Sequence, residues 1–599
     1  MCFLHAPFQD AITRGEAMMR IAALSAMPVM PSLSPTPRAH EINENHEFTA
    51  ILGSTAFIGP DLEPLPNATI LVRGNTIEHL GPAHSISIPD GAYNIDARGK
   101  YTIAGLIDSH VHFFQSGGLY TRPDAIDLRS VRPYTDELQW IRNNLHDTFA
   151  RYVRAGITSV VDVGGPFWNY DVRTLARQTV VAPRVMAAGP LISSVDRSIL
   201  DPYNDPPIVK IDTAEAARAL IDRELAAHTD FVKFWWIVSP SHPAAAFQPV
   251  AKAAIDYAHQ HGARVIIHAT ELETARLAVD SGTDILAHSV FDTDVDDGFI
   301  ELLRSRNVIY CPTLIVVGNY GYTFHGTPNL TNVDLRIANP DVIGTLFNMQ
   351  DVEEVLDPAG LAYIRALRAP EPPHAAMRNL KRVHDAGIRI AAGTDAGNIG
   401  TQHASSLYDE MLQMVASGLS PKDVLRTATV GGAQMMGRLH DLGTIENGKL
   451  ADLVVLDENP IDDIRAMASM NRIIKDGHVF DATAILNESA EQVVQRQINA
   501  YNYHDAGVFA ETYAVDAVVT GAGTPTLKTQ SEINRFYSEL FTKNPRLHAE
   551  TLKRNSSGDT IIDRERVSGF SDGRDSFEAT VTYRVRNGAI TNVAISVLS

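Results

Sequence analysis

The reading of this chain turns on one stretch, Ile107-Asp108-Ser109-His110-Val111-His112. Side chains two apart on a strand point the same way, so His110 and His112 present two imidazoles to one side. Two neutral imidazoles on one face can begin a divalent-metal site. They stand at the C-terminal end of a strand, where barrel enzymes place their chemistry. Taken alone, the pair reads more readily as ordinary packing, because short motifs discriminate weakly.

Outward from this stretch, strand-like runs alternate with helical ones from about Thr102 to about Leu439. The strands are read at Gly105–His110, Thr158–Val163, Val185–Ala188, Phe231–Trp235, Arg264–His268, Ile285–His288, Val308–Pro312 and Ile388–Thr394. Helices are expected at Pro249–His259 and Glu271–Asp280. Eight strands alternating with helices is the pattern of a (β/α)8 TIM barrel, placed at 105–440 in an α/β chain. Short β-like runs flank it at 48–104 and 441–486, and the economical reading joins both flanks into one small β-sandwich. Residues 487–599 read as an α+β domain, with helices at Ala490–His504 and Gln530–Phe541 and long alternating runs at Thr580–Val585 and Ile590–Val597.

Other chemistry-bearing residues fall at the ends of these strands. His268 ends Val265-Ile266-Ile267, and His288 ends Ile285-Leu286-Ala287 one strand–helix–strand unit later. Asp395 follows Ile390–Thr394. Lys233 sits in Phe231-Val232-Lys233-Phe234-Trp235-Trp236, where a cation is costly. The plain reading of that lysine is a buried ion pair with a carboxylate.

In this order the motifs resemble the amidohydrolase superfamily. Gly105–His112 looks like its opening motif and Gly393-Thr394-Asp395 like its last-strand motif. Leu442–Leu456 resembles its return into the β-sandwich. Ala104 departs from the pattern, in which many members carry proline. Phe231–Trp235, His268-Ala269-Thr270 and Gly393–Asn398, with His403 shortly after, look most like imidazolonepropionase-like and Xaa-Pro dipeptidase-like members. The resemblance implies two divalent ions, with zinc expected, and Lys233 carboxylated to bridge them. His110, His112 and Asp395 would hold one ion, and His268 and His288 the other. A metal-bridging hydroxide would attack, with Asp395 as proton shuttle; Asp395 and His288 are the catalytic candidates. His403, Tyr320 and Tyr322 are candidates for the substrate pocket, the tyrosines as loop aromatics.

Glu271 admits two readings. Single-metal deaminases of the superfamily use a Glu three residues after this His as a proton shuttle. The reading preferred here is that Glu271 opens the next helix, where a carboxylate suits the dipole. With helix-like Gln497–Asn502 and Phe536–Phe541 and strand-like Thr582–Gly588, the C-terminal domain resembles the SnoaL-like or nuclear-transport-factor-2-like fold, a cone of sheet closed by helices, and is expected to fold independently and mediate self-association. Asp563 and Glu565 alternate on one of its strands and read as a solvated face.

Composition narrows the partners. The net charge is −20 with no Lys/Arg-rich block, which argues against a nucleic-acid surface. No long apolar run suggests a membrane span. The two cysteines, Cys2 and Cys311, allow one disulfide but exclude a cysteine-rich zinc site. Residues 1–47 read as a leader. Met18–Pro37 is signal-like if translation starts at Met18 or Met19, which would make the protein periplasmic or secreted; a cytoplasmic leader is favoured. The expected activity is cleavage of an amide or related C–N bond in a small molecule, dipeptides included, by a homo-oligomer. The alternatives are a deaminase using Glu271, a lactone or phosphoester hydrolase, and a non-catalytic relative kept for assembly.

Overall fold

The computed structural model describes residues 46–598 apart from 240, 353–355, 357–363, 365–373 and 522–524. Met18–Pro37 and Cys2 lie outside the described residues; Cys311 is a buried free thiol. Among the described residues no helix is long and apolar enough to cross a membrane.

The central layer has the TIM-barrel type of architecture. Parallel strands run at Leu106–Val111, Ile157–Asp162, Arg184–Ala187, Phe231–Trp235, Arg264–His268, Ile285–Ala287 and Ile309–Cys311. They read as unbroken apolar runs because helices cover one face and the interior packs the other. Phe231, Val232 and Phe234 are fully buried. Ile388–Thr394 was expected as a strand of the same kind. It bonds to both neighbours, through Tyr310 N to Arg389 O (2.9 Å) and Ser109 N to Ala392 O (2.9 Å), yet forms no regular strand. The interruption has a cause: the Ala392 amide donates instead to Thr427 O of the π-helical turn Thr427–Gly431. That turn presses so close that a Cβ on Gly431 would lie 2.1 Å from Ile390 O. Two further parallel strands, Leu191–Ser193 and Ile208–Lys210, are three residues each and too short to show a period in the sequence.

The outer helices follow their apolar spacing. Leu272–Ser281 buries Thr274, Ala275, Ala278 and Val279 on one face and stops at Gly282, whose φ of 109° suits only glycine well. Ala244–Gln260 starts a turn and more before Pro249, the expected first residue, and carries that proline inside its second turn. Both flanks of the barrel do meet in one eight-stranded sheet, where Tyr101–Ala104 pairs antiparallel with Leu453–Leu456. Ile51, Ile70, Ile77, Leu453, Val455 and Ile474 form its apolar cluster.

The C-terminal domain is β-rich. Its five strands lie in the order Tyr513–Gly521, Ala589–Val597, Phe577–Arg586, Thr560–Ser568, His548–Ser557. The helix Ala490–Tyr503, started by a Ser489–Gln492 capping box, packs across this sheet. Its apolar core does not stop at the domain boundary. Leu330, Leu335, Ala338, Ile343 and Leu346 of the barrel chain share one cluster with Val494, Ile498, Phe509 and Tyr537.

The same helix corrects the reading of Asp563 and Glu565. They do not form a solvated face: Asp563 is fully buried and Glu565 is 6% exposed. Arg554 pairs with Asp563 at 2.7 Å, and the Tyr583 hydroxyl donates to Glu565 at 2.7 Å. Burial pushes the Glu565 carboxyl up to about 7. The folded protein therefore holds a proton there that an unfolded chain releases near 4.5. Stability should fall as pH rises through that window, by about 3 kcal/mol at this site. Glu565→Gln, which keeps an acceptor for Tyr583, should flatten the decline in urea-melt stability of this domain between pH 5 and 8. Parallel pH curves for the two proteins would show that Glu565 ionises freely.

Candidate metal centre and active site

The strand ends bring the expected ligands together. His110, Lys233, His268 and Asp395 are at most 2% exposed, and His112 and His288 are each 6% exposed. One donor atom each from His110, His288 and Asp395 lies within 4.8 Å of the others. His110 Nε2 and His112 Nε2 stand 3.4 and 3.2 Å from Asp395 Oδ1. The His268 ring centroid is 4.3 Å from that of His288.

The electrostatics favour ligation. Burial, with the nearby Lys233 charge, pulls His110 down to about 3, and burial holds His268 and His288 well below the usual imidazole range. Burial likewise pulls the Lys233 amine down to about 8. Burial opposes ionisation of Asp395, but its pairing with His110 and His112 outweighs that and holds the carboxyl well below its usual range. Neutral imidazoles beside a carboxylate are the protonation states a metal requires.

Three buried polar atoms of these residues have no hydrogen-bond partner among the described residues: His110 Nδ1, His268 Nε2 and Lys233 Nζ. Orphaned buried groups are expensive. Among the described residues no carboxylate lies within ion-pair distance of Lys233, although Asp395 is near enough for its charge to be felt. The nitrogen and oxygen donor set fits divalent ions such as zinc.

A further layer orients these side chains, and sequence reasoning missed most of it. Gly164 O accepts from His112 Nδ1 at 2.7 Å, and His288 Nδ1 lies 2.6 Å from Thr313 Oγ1, which leaves both Nε2 atoms facing inward. Asp108 accepts from Thr394 Oγ1 at 2.8 Å and so ties the first barrel strand to the last segment. Asn398 Nδ2 donates to Asp395 Oδ1 at 2.7 Å. Its Oδ1 accepts from Arg122 Nη1 (2.7 Å) and Tyr320 OH (2.8 Å), so the amide is locked in one orientation. Three non-glycine residues of the site have left-handed backbones: His288 (φ 75°), Thr313 (φ 44°) and Asp395 (φ 62°). Such backbones cluster where function over-determines them.

The remaining candidates are placed differently from expectation. Tyr320 and Tyr322 are not loop residues; they lie on the helix Ile315–Phe324. Its glycines suggested a loop, but Glu410 accepts from the Leu314 and Ile315 amides and anchors the helix start. Tyr320 reaches the site through Asn398. Tyr322, two positions on, falls on a different face. His403 is neither a surface residue nor turned to the cleft. Its Nε2 donates to Gln115 O (2.8 Å), its Nδ1 pairs with Tyr152 OH (2.8 Å), and its ring stacks on Phe113. Glu271 is the N-cap residue of Leu272–Ser281, and its carboxylate accepts from Thr270 and Thr274. Beside His268, His288 and Asp395 runs a cleft walled by Phe291, Pro312, Leu314, Val316 and Val317.

Comparison with known proteins matches residues 101–480 to the amidohydrolase family. The chain belongs to that family. This amidohydrolase is a hydrolase of carbon–nitrogen bonds, and residues 494–593 of it match the SnoaL-like domain. The imidazolonepropionase of Geobacillus kaustophilus is 23% identical over 428 residues, covering 66% of this chain and 85% of that protein. The imidazolonepropionase of Streptomyces coelicolor is 25% identical over 401 residues, covering 65% and 85%. Among solved structures, a Xaa-Pro dipeptidase with bound methionine in its active site superposes with a TM-score of 0.55 at 21% identity, over 72% of this chain and all of that one. Molinate hydrolase does so with a TM-score of 0.55 at 19% identity, over 73% and 95%. At these identities the structural likeness carries the fold.

Proposed function

We propose that this amidohydrolase cleaves an amide or related C–N bond in a small molecule, with two divalent ions held by His110, His112, Lys233, His268, His288 and Asp395. The observation that carries the reading is the buried cluster of donor atoms from His110, His288 and Asp395, all within 4.8 Å of one another, with His112 Nε2 3.2 Å from Asp395 Oδ1. Lys233 would serve as a carbamate: its neutral amine adds to carbon dioxide, an N–C bond forms and a proton leaves. That exchanges an orphaned amine for an anion with two oxygens. His110, His112 and Asp395 would hold one ion and His268 and His288 the other, with the carbamate shared.

When bound, such ions make water acidic enough to attack at neutral pH and polarise a carbonyl. The chain's own residues do the rest. Asp395 takes the proton of the attacking water and delivers it to the leaving nitrogen. Asn398 aims that carboxylate, with Arg122 and Tyr320 preventing its amide from flipping. The Gly164 carbonyl keeps His112 in the tautomer whose Nε2 lone pair faces inward, and Thr313 fixes the orientation of the His288 ring. Phe291, Leu314 and Val317 exclude water from one side and suit a substrate with an apolar flank. The relatives include imidazolonepropionases, which supports a small-molecule substrate in this cleft.

The test combines metal analysis with a substrate panel. Elemental analysis should find close to two divalent ions per chain, fewer in His110→Ala or His268→Ala. N-acyl amino acids and dipeptides should turn over, while lactones, phosphoesters and aminopurines serve as the competing arms. Glu271→Gln should stay within about tenfold of wild type, since a helix-end carboxylate contributes only about 1 kcal/mol. Release of ammonia from an aminopurine, abolished by Glu271→Gln, would replace this reading with deamination. A folded protein that binds no metal and turns over nothing on the panel would overturn it altogether.

A further inference from the structure

The barrel helix Pro340–Leu346 stands between the C-terminal domain and the loop that follows His112, and hydrogen bonds link the three in series. In its helix Ala490–Tyr503, Asn499 Nδ2 donates to Pro340 O at 2.8 Å, in the first turn of the barrel helix Pro340–Leu346. Gln495 braces that amide at 3.0 Å. Gly344 faces it so closely that a Cβ would lie 2.7 Å from Gln495 Nε2. Another face of Pro340–Leu346 meets the loop that follows His112. Thr345 Oγ1 accepts from Leu119 N at 3.0 Å, and a Cβ on Gly118 would lie 2.7 Å from the same oxygen.

That loop is in turn strapped to the segment carrying Asp395. Gly117 N donates to Gly397 O (2.8 Å), Gly400 N donates to Gly117 O (2.9 Å), and Gln402 Nε2 donates to Gly117 O (3.1 Å). Gly117, Gly397 and Gly400 all have positive φ, at 90°, 104° and 80°. A segment built on Gly117-Gly118 has little side chain to hold it and loses much conformational freedom on ordering. Its position is set by what it is bonded to.

We propose that the C-terminal domain is a positioning element of the active site: through Asn499, Thr345 and Gly117 it holds the loop that carries Asp395. Thr345 is the positioning residue at the hand-over between domain and loop. The catalytic half of this inference rests on Asp395 carrying the proton transfer proposed above. The geometric half can be read without any substrate.

The experiment uses the full chain and the variants Thr345→Val, Thr345→Ser, Asn499→Leu and the Thr345→Val/Asn499→Leu double variant. Amide exchange of the peptide spanning 115–121, metal content, Tm, kcat and KM are measured. Thr345→Val and Asn499→Leu should each speed exchange of that peptide and lower kcat about tenfold, with KM, metal count and Tm held, because small misplacements of a reacting group are costly. Thr345→Ser should recover both. The double variant should be no worse than the poorer single one, since both cut the same series. If Asn499→Leu lowers Tm, Gly344→Ala, which pushes the two helices apart, takes its place. Unchanged exchange in both Asn499→Leu and Gly344→Ala, or losses that multiply in the double variant, would overturn the proposal. Faster exchange with kcat unaltered would overturn the catalytic half while leaving the metal-hydrolase reading intact. Should no panel substrate turn over, exchange alone decides whether the domain holds the loop.

Discussion

Lys233→Ala should lose metal and activity together. The lysine is buried, its amine has no partner among the described residues, and burial has already brought it to about 8. An amine so placed is ready to react with carbon dioxide at neutral pH and costly to leave as it is. Removing it should empty the site of at least one ion and reduce turnover more than about 100-fold, since even outer partners of metal ligands are worth about 10–100-fold. Acetate or propionate should restore part of both, by placing a carboxylate where the carbamate stood. Elemental analysis with and without the acid, beside the rate on the best panel substrate, reads the outcome. An active, fully metal-loaded Lys233→Ala protein that ignores the acids would leave the lysine as packing.

A chain ending at Leu486 should fail to fold. The sequence suggests a tidy boundary there and a domain that folds by itself, but the apolar cluster crosses it. Without Val494 and Ile498, the barrel's Leu335, Ile343 and Leu346 lose their cover. Each such side chain contributes roughly 1.5–3 kcal/mol when buried, and three of them approach the roughly 5–15 kcal/mol that holds a typical domain. Arg151, fully buried in the barrel, would also lose Glu488, one of its two carboxylate partners. Expression with a solubility assay, followed by a melt of whatever is soluble, tests this. A soluble, cooperatively melting chain near the full-length Tm would mean the shared cluster stabilises only the C-terminal side.

The candidate site residues were legible in different ways: His268 and His288 end apolar runs, His110 and His112 alternate on one strand, and Lys233 is a lone cation inside an apolar one. Asp395 follows the last expected strand, and the structure brings it within reach of His110 and His288. The groups that aim them were not legible. Asn398 and Arg122 reach the site from loops, and Thr313 stands in the short connection between Ile309–Cys311 and Ile315–Phe324, with no period to mark it. Their roles depend on which loops meet in space, as when Arg122 and Tyr320 meet at Asn398. Asp563 and Glu565 failed for a related reason. Alternation shows that two residues share a face, and only the helix laid across the sheet decides whether that face is wet. Ile388–Thr394 kept its place but lost its regular ladder to a helix turn that no propensity foretells.

Thr313 carries a consequence of its own. A β-branched residue at φ 44° is among the least comfortable choices for that backbone, where glycine or asparagine would sit with less strain. Its hydroxyl, 2.6 Å from His288, is what the position gains in return. Selection for stability alone would discard the threonine, and selection for hydrolysis retains it. A library of this protein sorted only for heat resistance should therefore enrich glycine or asparagine at 313, and a lineage that has drifted away from hydrolysis should show the same change early.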